Sequence, residues 1–483
     1  MIIKLEIRGF AFIVTTILLL ILLNVFYFNS EIKSKAFIAV SITGCILWML
    51  AFTMVKSRFI NTASIITPVN LFFLAYVILY FQVPLLELLD LKVADRFIYF
   101  IWNNEDVINK SVFYSVSGVF FFVLGSSFIL SSRFLSRKSK RFNAAFLTII
   151  AYVFYIAFFL TSGSYKVGAY NPDDALSVNP YFFKLFNVFF SASIILNLCN
   201  ISQKSKGRES VLRYIFYFDK SILLLFIWHV LFSLFVGDRG PVISYTLLVF
   251  SLYFIKHSKM KIYQILLLIV MASIVLSVIG SVRQARFDGG SLTERLSQQA
   301  QSNGNENKYF GSAVVGEGTI ELALSIRSLN HAIANVPENY DYKYGFFLTQ
   351  GIAASIPGVG TIFNYLFTNG ESYLNGSANF VSYMIQNGNV KYGDGTSILV
   401  DFYLDFGFIG ICIAMFLLGG TFVFFEKKLV EPFYYPSLGI VSALVIFSKS
   451  IYLVRSSIYL ELGNLLLIYF VILINNFFMK KSI

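Results

Sequence analysis

Long apolar segments separated by short polar ones dominate this chain of 483 residues. About 20 apolar residues in a helix cross the ~30 Å hydrocarbon core of a bilayer, so each such segment predicts a membrane-spanning helix. Helices are expected because lipid leaves no partner for an unpaired backbone polar group. Twelve spans are predicted, at 10–28, 36–55, 67–86, 112–130, 144–162, 181–199, 217–236, 241–255, 262–280, 397–425, 436–448 and 458–478.

Composition supports an all-α polytopic membrane protein. The chain is 57% hydrophobic and 13% charged, whereas a soluble globular protein carries about 25% charged residues. The first apolar segment, 10–28, is long enough to span and no small-residue cleavage site follows it, so we expect a span and not a signal peptide. The three cysteines lie inside apolar segments, which argues against disulfides and a zinc site.

The basic residues predict the orientation. With the N-terminus inside, the cytoplasmic loops hold 20 Lys and Arg and the short outer loops hold 9, the bias that the positive-inside rule requires. Both termini are then cytoplasmic, and the net charge of +12 is explained without nucleic acid. Three regions follow: spans one to nine in 1–280, a large outer loop in 281–396, and spans ten to twelve in 397–483.

The large loop, 281–396, is expected to contain helices. Residues 317–336 have a helix-forming composition and end at a proline. Residues 346–367 are moderately apolar but are interrupted by proline and glycine at 357–360. This second segment is expected to be an interfacial or re-entrant element instead of a full span.

Three arginines near predicted outer span ends are candidate phosphate ligands. Arg239 lies in the turn GDRGP, and Arg283 and Arg286 lie in GSVRQAR, three residues apart and therefore on one helix face. A guanidinium forms paired hydrogen bonds with phosphate oxygens. The alternative is that these side chains only anchor the helix ends at the interface.

The first predicted loop helix carries further candidates. Glu321 is a candidate general base and His331 a candidate acid or phosphate ligand, with Arg327 on the same helix face as His331. A solvated helix face without catalytic function would show the same pattern, so both interpretations stay open.

Carboxylates also lead into the tenth predicted span. Asp394 precedes the span, and Asp401 and Asp405 lie four residues apart within it. Charged groups inside a membrane helix are costly and indicate function. Alternatively, they pair with Lys449 or Arg455 in the last outer loop. No P-loop, dinucleotide-binding or metal-ligand motif is present, and we expect no metal or cofactor.

The chain resembles the O-antigen polymerases, the Wzy-type oligosaccharide repeat-unit polymerases. The resemblance lies in GDRGP, in GSVRQAR, in VPENYDYKYGFFLTQGIAASIPG at 336–358 and in GTSILVDFYLDFGFIG at 395–410, together with the span count and loop position. It departs from the family pattern at Gly358, where an arginine often follows the proline, and at Asp401, where a glutamate is expected. Thr396 stands where the related ligases have a histidine.

The resemblance implies a C-type glycosyltransferase-like fold in the bacterial inner membrane, related to the O-antigen ligases. It implies polymerisation of undecaprenyl-pyrophosphate-linked repeat units at the periplasmic face, with membrane lipid and a chain-length regulator as partners. The alternatives are an O-antigen ligase-like glycosyltransferase and a lipid-linked oligosaccharide flippase. The expected pyrophosphate ligands are Arg239, Arg283, Arg286 and Arg327, and the expected catalytic residues are Asp394, Asp401, Glu321 and His331.

Overall fold

A computed structural model shows how the predicted segments pack. It describes residues 2–29, 35–60, 62, 64–89, 105–130, 142–162, 180–204, 209–236, 238–257, 317–356, 358–390, 393–430 and 435–480. Within these ranges the regular elements are helical, as the sequence predicts.

The first nine helices belong to the N-terminal region. A π-helical turn at Val77–Phe81 interrupts α3, and another at Tyr253–His257 follows α9. The bounds are α1 Ile2–Asn29, α2 Lys35–Ile60, α3 Pro68–Leu88, α4 Glu105–Ile129, α5 Ala145–Thr161, α6 Pro180–Lys204, α7 Val211–Phe216, α8 Lys220–Val236 and α9 Arg239–Leu252.

The remaining helices come from the predicted loop and the C-terminal region. Short 3₁₀ turns at Ser372–Leu374 and Tyr452–Val454 connect some of them. The bounds are α10 Glu317–Ala323, α11 Ile326–Asn335, α12 Phe346–Ser355, α13 Val359–Phe367, α14 Ser377–Ile385, α15 Ile398–Val430, α16 Leu438–Lys449 and α17 Ile458–Lys480.

Seven helices in the described ranges are long and apolar enough to cross a membrane. They confirm a multi-pass membrane protein. Four other predicted spans correspond to the shorter helices α5, α8, α9 and α16, and the span predicted at 262–280 lies outside the described residues. The total of twelve spans and the periplasmic location of the loop therefore stay predictions.

Helix α15 packs most closely against α4, through glycines. A Cβ atom added to Gly125 would lie 1.8 Å from the carbonyl oxygen of Phe416, and one added to Gly419 would lie 1.9 Å from that of Phe122. The Ser126 hydroxyl donates a hydrogen bond of 2.9 Å to the Gly419 carbonyl oxygen. Small residues bring membrane helices into backbone contact, where dispersion forces and interhelical hydrogen bonds hold them together.

A kink at Gly407 divides α15. Gly407 has φ 64° and ψ −157°, a conformation that a side chain disfavours. At the break, carbonyl groups of α15 accept hydrogen bonds from another segment of the chain. The Leu404 carbonyl accepts from the Lys343 N–H at 2.8 Å, and the Asp405 carbonyl accepts from the Tyr344 N–H at 2.9 Å. The kink therefore attaches the segment before α12 to α15.

The other end of α15 carries a buried ion pair. Glu426 lies 2.6 Å from Lys56 of α2, with both side chains almost fully buried, and Lys427 donates to the Ile129 carbonyl at the end of α4 at 2.7 Å. The helix from Phe408 to Glu426 is about 27 Å long at 1.5 Å per residue. That length is close to the ~30 Å hydrocarbon core, so the polar groups at the two ends of α15 match the two membrane surfaces.

The loop helices differ in detail from the sequence prediction. The single helix expected over 317–336 is two helices, α10 and α11, separated by a turn at 324–325. The predicted interruption of 346–367 is confirmed, because α12 ends at Ser355 and α13 begins at Val359. The first break is a turn that contains neither glycine nor proline, so composition gave no signal for it.

Helix α12 packs against the first half of α17. A Cβ atom added to Gly351 would lie 2.4 Å from the Tyr459 Cβ, and one added to Gly463 would lie 1.4 Å from the Ser355 Oγ. Such contact requires the absence of side chains on both helices. Because α17 is long and apolar enough to cross a membrane, α12 contacts the first turns of a candidate span, and its interfacial or re-entrant placement stays a prediction.

We predict that Gly419→Ala destabilises the helix bundle. The added methyl group overlaps the Phe122 carbonyl, and relief requires the backbones of α4 and α15 to separate, at a cost of roughly 1–3 kcal/mol. The thermal midpoint in detergent should fall. The matched control is Gly44→Ala on α2, where an added Cβ meets nothing within 4 Å; its midpoint should equal or exceed that of the wild type. Equal midpoints for both variants would contradict the packing.

Candidate functional site

The fully buried carboxylate of Asp401 joins three parts of the chain. Its Oδ1 accepts from the hydroxyls of Ser377 on α14, at 2.6 Å, and of Thr396, at 3.0 Å. Its Oδ2 accepts from the Ser457 hydroxyl at 2.8 Å and from the Ile458 N–H at 3.1 Å. The last bond pairs an N–H at the start of α17, which has no helical acceptor. Asp401 thus holds the beginnings of two helices against α15.

Asp405, one helical turn further along α15, caps another helix. Its two carboxylate oxygens accept from the N–H groups of Phe347, at 3.2 Å, and Leu348, at 3.0 Å, in the first turn of α12. A carboxylate at a helix N-terminus pairs N–H groups that lack helical acceptors and is attracted by the helix dipole. Lys449, a partner considered from the sequence, instead lies 3.1 Å from Glu461 of α17.

Asp394 forms an ion pair with Arg327 on α11. The Arg327 Nη2 contacts the Asp394 Oδ1, and the Asp394 side chain is fully buried whereas that of Arg327 is 22% exposed. The Gln386 side chain donates to the second carboxylate oxygen at 2.7 Å, and the Asp394 N–H donates to the Ser382 hydroxyl at 2.9 Å. The pair fixes the guanidinium of Arg327 on a side chain that is not fully buried.

Helix α14 links the two aspartates. Ser377 at its beginning binds Asp401, while Ser382 in its last turn and Gln386 just beyond its end bind Asp394. One short helix thereby binds both aspartates, although the sequence gives no sign of a connection through Ser377.

His331 lies four residues after Arg327 on α11 and is 8% exposed. Burial, and secondly the positive charge of Arg327, lower the pKa of His331 from 6.5 to about 4. The imidazole is therefore neutral at neutral pH and accepts or donates hydrogen bonds without a positive charge. A neutral His331 is better suited to orienting a hydroxyl group by a hydrogen bond than to attracting a phosphate by charge.

A cavity of about 530 Å³ lies next to this helix. The aromatic side chains of Tyr27 and Phe28 and the charged side chains of Asp106, Lys110 and Glu338 line it, together with two residues of α11. Ligand pockets typically measure about 300–1,000 Å³. A polar cavity with aromatic walls suits a glycan, whose hydroxyls bond to charged groups and whose C–H faces pack on rings.

Arg239 occupies a different place, at the start of α9. The side chain of Asp238 caps this helix by accepting from the Gly240 N–H at 3.1 Å. A Cβ on Gly240 would lie 3.8 Å from the Tyr452 ring, so Arg239 is close to the connection between α16 and α17. At the other end of that connection, the Ser457 hydroxyl donates a hydrogen bond to Asp401.

Three of the predicted site residues lie wholly or partly outside the described part of the chain. Arg283 and Arg286 lie outside the described residues, and only the backbone of Glu321 is described, in α10. Among the described residues, no group of three or more His, Cys, Asp or Glu has the geometry of a metal site.

Sequence reasoning missed Ser377, Ser457 and the Lys449–Glu461 pair. Serines are common in loops, and nothing in their spacing indicates that two of them meet one carboxylate from opposite directions. For Asp405, the sequence did offer a usable signal, because a Tyr-rich segment that ends at Gly345 precedes α12, without any Ser, Thr, Asp or Asn at its N-terminal cap. A helix that lacks a local cap needs a distant one.

A bundle of long apolar helices with a network of charged side chains among its shorter helices defines a multi-pass membrane protein. The chain matches the model of the family described as O-antigen polysaccharide polymerase Wzy over residues 10–482, and it belongs to that family. The resemblance found in the sequence is thereby confirmed. The family polymerises O-antigen repeat units from lipid-linked oligosaccharides, a glycosyltransferase-type activity in polysaccharide biosynthesis. No curated protein and no solved structure gives a match to this chain.

We predict that Asp401→Ala and Asp401→Asn have different effects. Alanine leaves the Ile458 N–H and three hydroxyls without their acceptor, and each buried unpaired donor costs about 1–3 kcal/mol. Asparagine keeps an acceptor for Ile458, and its amide donates to hydroxyls that rotate to accept. Alanine should therefore lower the thermal midpoint and the yield of protein, while asparagine should preserve both and retain polysaccharide polymerisation. A folded but inactive Asp401→Asn variant would instead assign the carboxylate a chemical role.

His331 should make stability depend on pH. Because its folded pKa of about 4 lies below the unfolded value of 6.5, the unfolded chain binds the proton more tightly. Stability is then complete above about pH 6.5 and is lost as the pH falls towards about 4, by roughly 3 kcal/mol. Thermal unfolding of the wild type and of His331→Gln across this interval should show a steeper decline for the wild type. Parallel pH profiles would contradict the burial of a neutral imidazole.

Proposed function

We propose that this protein joins undecaprenyl-pyrophosphate-linked oligosaccharide repeat units at the periplasmic face of the bacterial inner membrane. The growing chain is transferred from its carrier to a hydroxyl of an incoming lipid-linked unit. The bond between the anomeric carbon and the pyrophosphate oxygen breaks, and a bond to the acceptor oxygen forms. The pyrophosphate carrier leaves with the bonding electrons, and the acceptor hydroxyl gives up its proton.

The observation that carries this proposal is the Arg327–Asp394 pair with neutral His331 beside it. Negative charge develops on the departing pyrophosphate while the sugar becomes positively charged. Donors that are already fixed in position stabilise such charge without reorganisation. Asp394 and Gln386 fix the geometry around Arg327, and we assign its guanidinium, on a side chain that is 22% exposed, to a phosphate oxygen of the substrate.

The other arginines complete the proposed pyrophosphate site. Arg239 lies near the connection that leads to Asp401, and we assign Arg283 and Arg286 to the same role from their sequence positions. Arginine supplies paired hydrogen bonds and a permanent positive charge. We therefore propose a metal-independent reaction in which guanidinium groups neutralise the leaving group.

The acceptor side of the reaction needs a group that takes a proton or orients a hydroxyl. Glu321 is the proposed carboxylate and His331 the proposed orienting group, while Asp394, buried against Arg327 and Gln386, is assigned the positioning of the guanidinium. The four hydrogen bonds to Asp401 support a positioning role for that residue, which holds the loop helices in place. The 530 Å³ cavity beside α11 is the proposed location of the acceptor glycan.

The banding of surface polysaccharide tests the proposal. In cells that depend on this protein, Arg239→Ala and Arg327→Ala should each shift the polysaccharide from long chains to a single repeat unit. Loss of one such electrostatic donor typically costs about 10²–10³ in turnover. The control is Arg58→Ala, an exposed arginine in the last turn of α2, which should leave the bands unchanged.

The outcomes separate the alternatives. Long chains in both arginine variants, at normal protein levels, would show that the arginine assignment is wrong. If deletion of the protein removes even single repeats from the surface, a flippase or a ligase explains the function better than a polymerase does.

A further inference from the structure

An apolar groove of about 710 Å³ runs between α15, α16 and α17. Its walls are almost entirely hydrocarbon, and several of its residues are among the most exposed large apolar side chains, including Ile409 at 70% and Leu417 at 60%. Representative lining residues are Phe402, Ile413, Leu418, Ile446, Leu453 and Leu462. In a membrane protein, such a groove opens sideways to lipid.

The groove is long compared with one leaflet. Along α15 it is lined from Ile409 to Phe422, about 20 Å at 1.5 Å per residue. Half of the ~30 Å hydrocarbon core is about 15 Å, so a groove of this length that begins at one membrane surface continues past the middle of the bilayer. A polyprenyl chain, which is longer than one leaflet is thick, would contact the protein along the whole groove.

The mouth of the groove is polar and carries an ion pair. Lys449 and Glu461 lie there, 3.1 Å apart, with the Lys449 side chain 33% exposed, and Tyr344 and Tyr459 border the same end. Tyr452, three residues after Lys449, lies close to the turn that carries Arg239. An anionic head group at this mouth would compete with Glu461 for the Lys449 ammonium group, while the chain attached to it would lie against hydrocarbon.

The groove is continuous with the network of the candidate site. Tyr459 lines the groove and donates a hydrogen bond of 3.2 Å to the Asp401 carbonyl. Leu348 also lines the groove, and its N–H is capped by Asp405. A lipid whose chain fills the groove therefore presents its head group at the junction of the loop helices with the membrane helices.

The geometry points to this groove as the binding site for the isoprenoid chain of a lipid-linked substrate, with Lys449 receiving a phosphate of the head group. During binding, Lys449 exchanges its contact with Glu461 for the phosphate. This inference rests on the proposed function, because it takes the substrate to be a polyprenyl pyrophosphate. It adds the location of the isoprenoid chain. It also adds Lys449 as a phosphate ligand, which the sequence did not identify.

Binding of undecaprenyl pyrophosphate to the purified full-length protein in detergent tests the groove directly, without any polymerisation step. Ile413→Trp places a bulky side chain in the groove and should weaken binding roughly tenfold, by about 1.4 kcal/mol. The matched control is Ile149→Trp, a similarly exposed residue on α5, which should bind as the wild type does. Farnesyl pyrophosphate, with the same head group and a much shorter chain, should bind more weakly and be less sensitive to Ile413→Trp.

Two further binding experiments test the role of the head group and competition by a phospholipid. Lys449→Gln should weaken binding of undecaprenyl pyrophosphate but not of the uncharged polyprenol. Phosphatidylglycerol should not displace undecaprenyl pyrophosphate at equal concentration. Equal binding by both tryptophan variants, or effective competition by phosphatidylglycerol, would show that the groove is an ordinary lipid-facing surface. If the proposed function is wrong, the Arg239→Ala and Arg327→Ala variants will leave the polysaccharide bands unaltered, whatever the binding result.

Discussion

Two buried carboxylates on one helix, Asp401 and Asp405, support the attachment of the loop helices to the membrane helices. Each accepts hydrogen bonds from the beginning of a helix, α17 for Asp401 and α12 for Asp405. These two helices pack against each other through glycines, so the caps and the packing depend on one another. A carboxylate in such a place is tolerable because four hydrogen bonds surround Asp401 and two backbone donors bind Asp405.

The kink of α15 makes this arrangement compatible with a bilayer. The part of α15 beyond Gly407 is apolar and about as long as the hydrocarbon core, and it ends at the buried pair of Lys56 and Glu426. The part before Gly407 turns away and carries the two aspartates. Charged groups therefore lie near both membrane surfaces, and the lipid-facing middle of the helix stays free of them.

The charged cluster and the apolar groove adjoin the same junction between the loop helices and the membrane helices. Arg327, Asp394 and His331 lie among loop helices tied to Asp401 through α14, while the groove begins at Tyr459 and Leu348 on the membrane side of the same junction. An enzyme of the Wzy family must bind a substrate that is hydrocarbon at one end and glycan at the other. In the proposed binding mode those two ends meet at this junction, where the hydrogen bonds to Asp401 and Asp405 converge.

The sequence by itself determined where the long apolar helices occur, because apolar length and proline and glycine breaks act locally. It predicted the start of α15 to within one residue, although α15 continues to Val430 beyond the predicted end at 425. It also predicted the interruption between α12 and α13, and its motifs indicated the family. It also singled out Arg327, Asp394 and Asp401 by their charge. Only the tertiary structure decided their partners, since Arg327 and Asp394 are far apart in the chain and Asp401 is bound by serines and a backbone N–H from separate helices. Hydroxyl and backbone donors occur throughout every sequence, so their assignment to one carboxylate depends on packing and leaves no pattern in the order of residues.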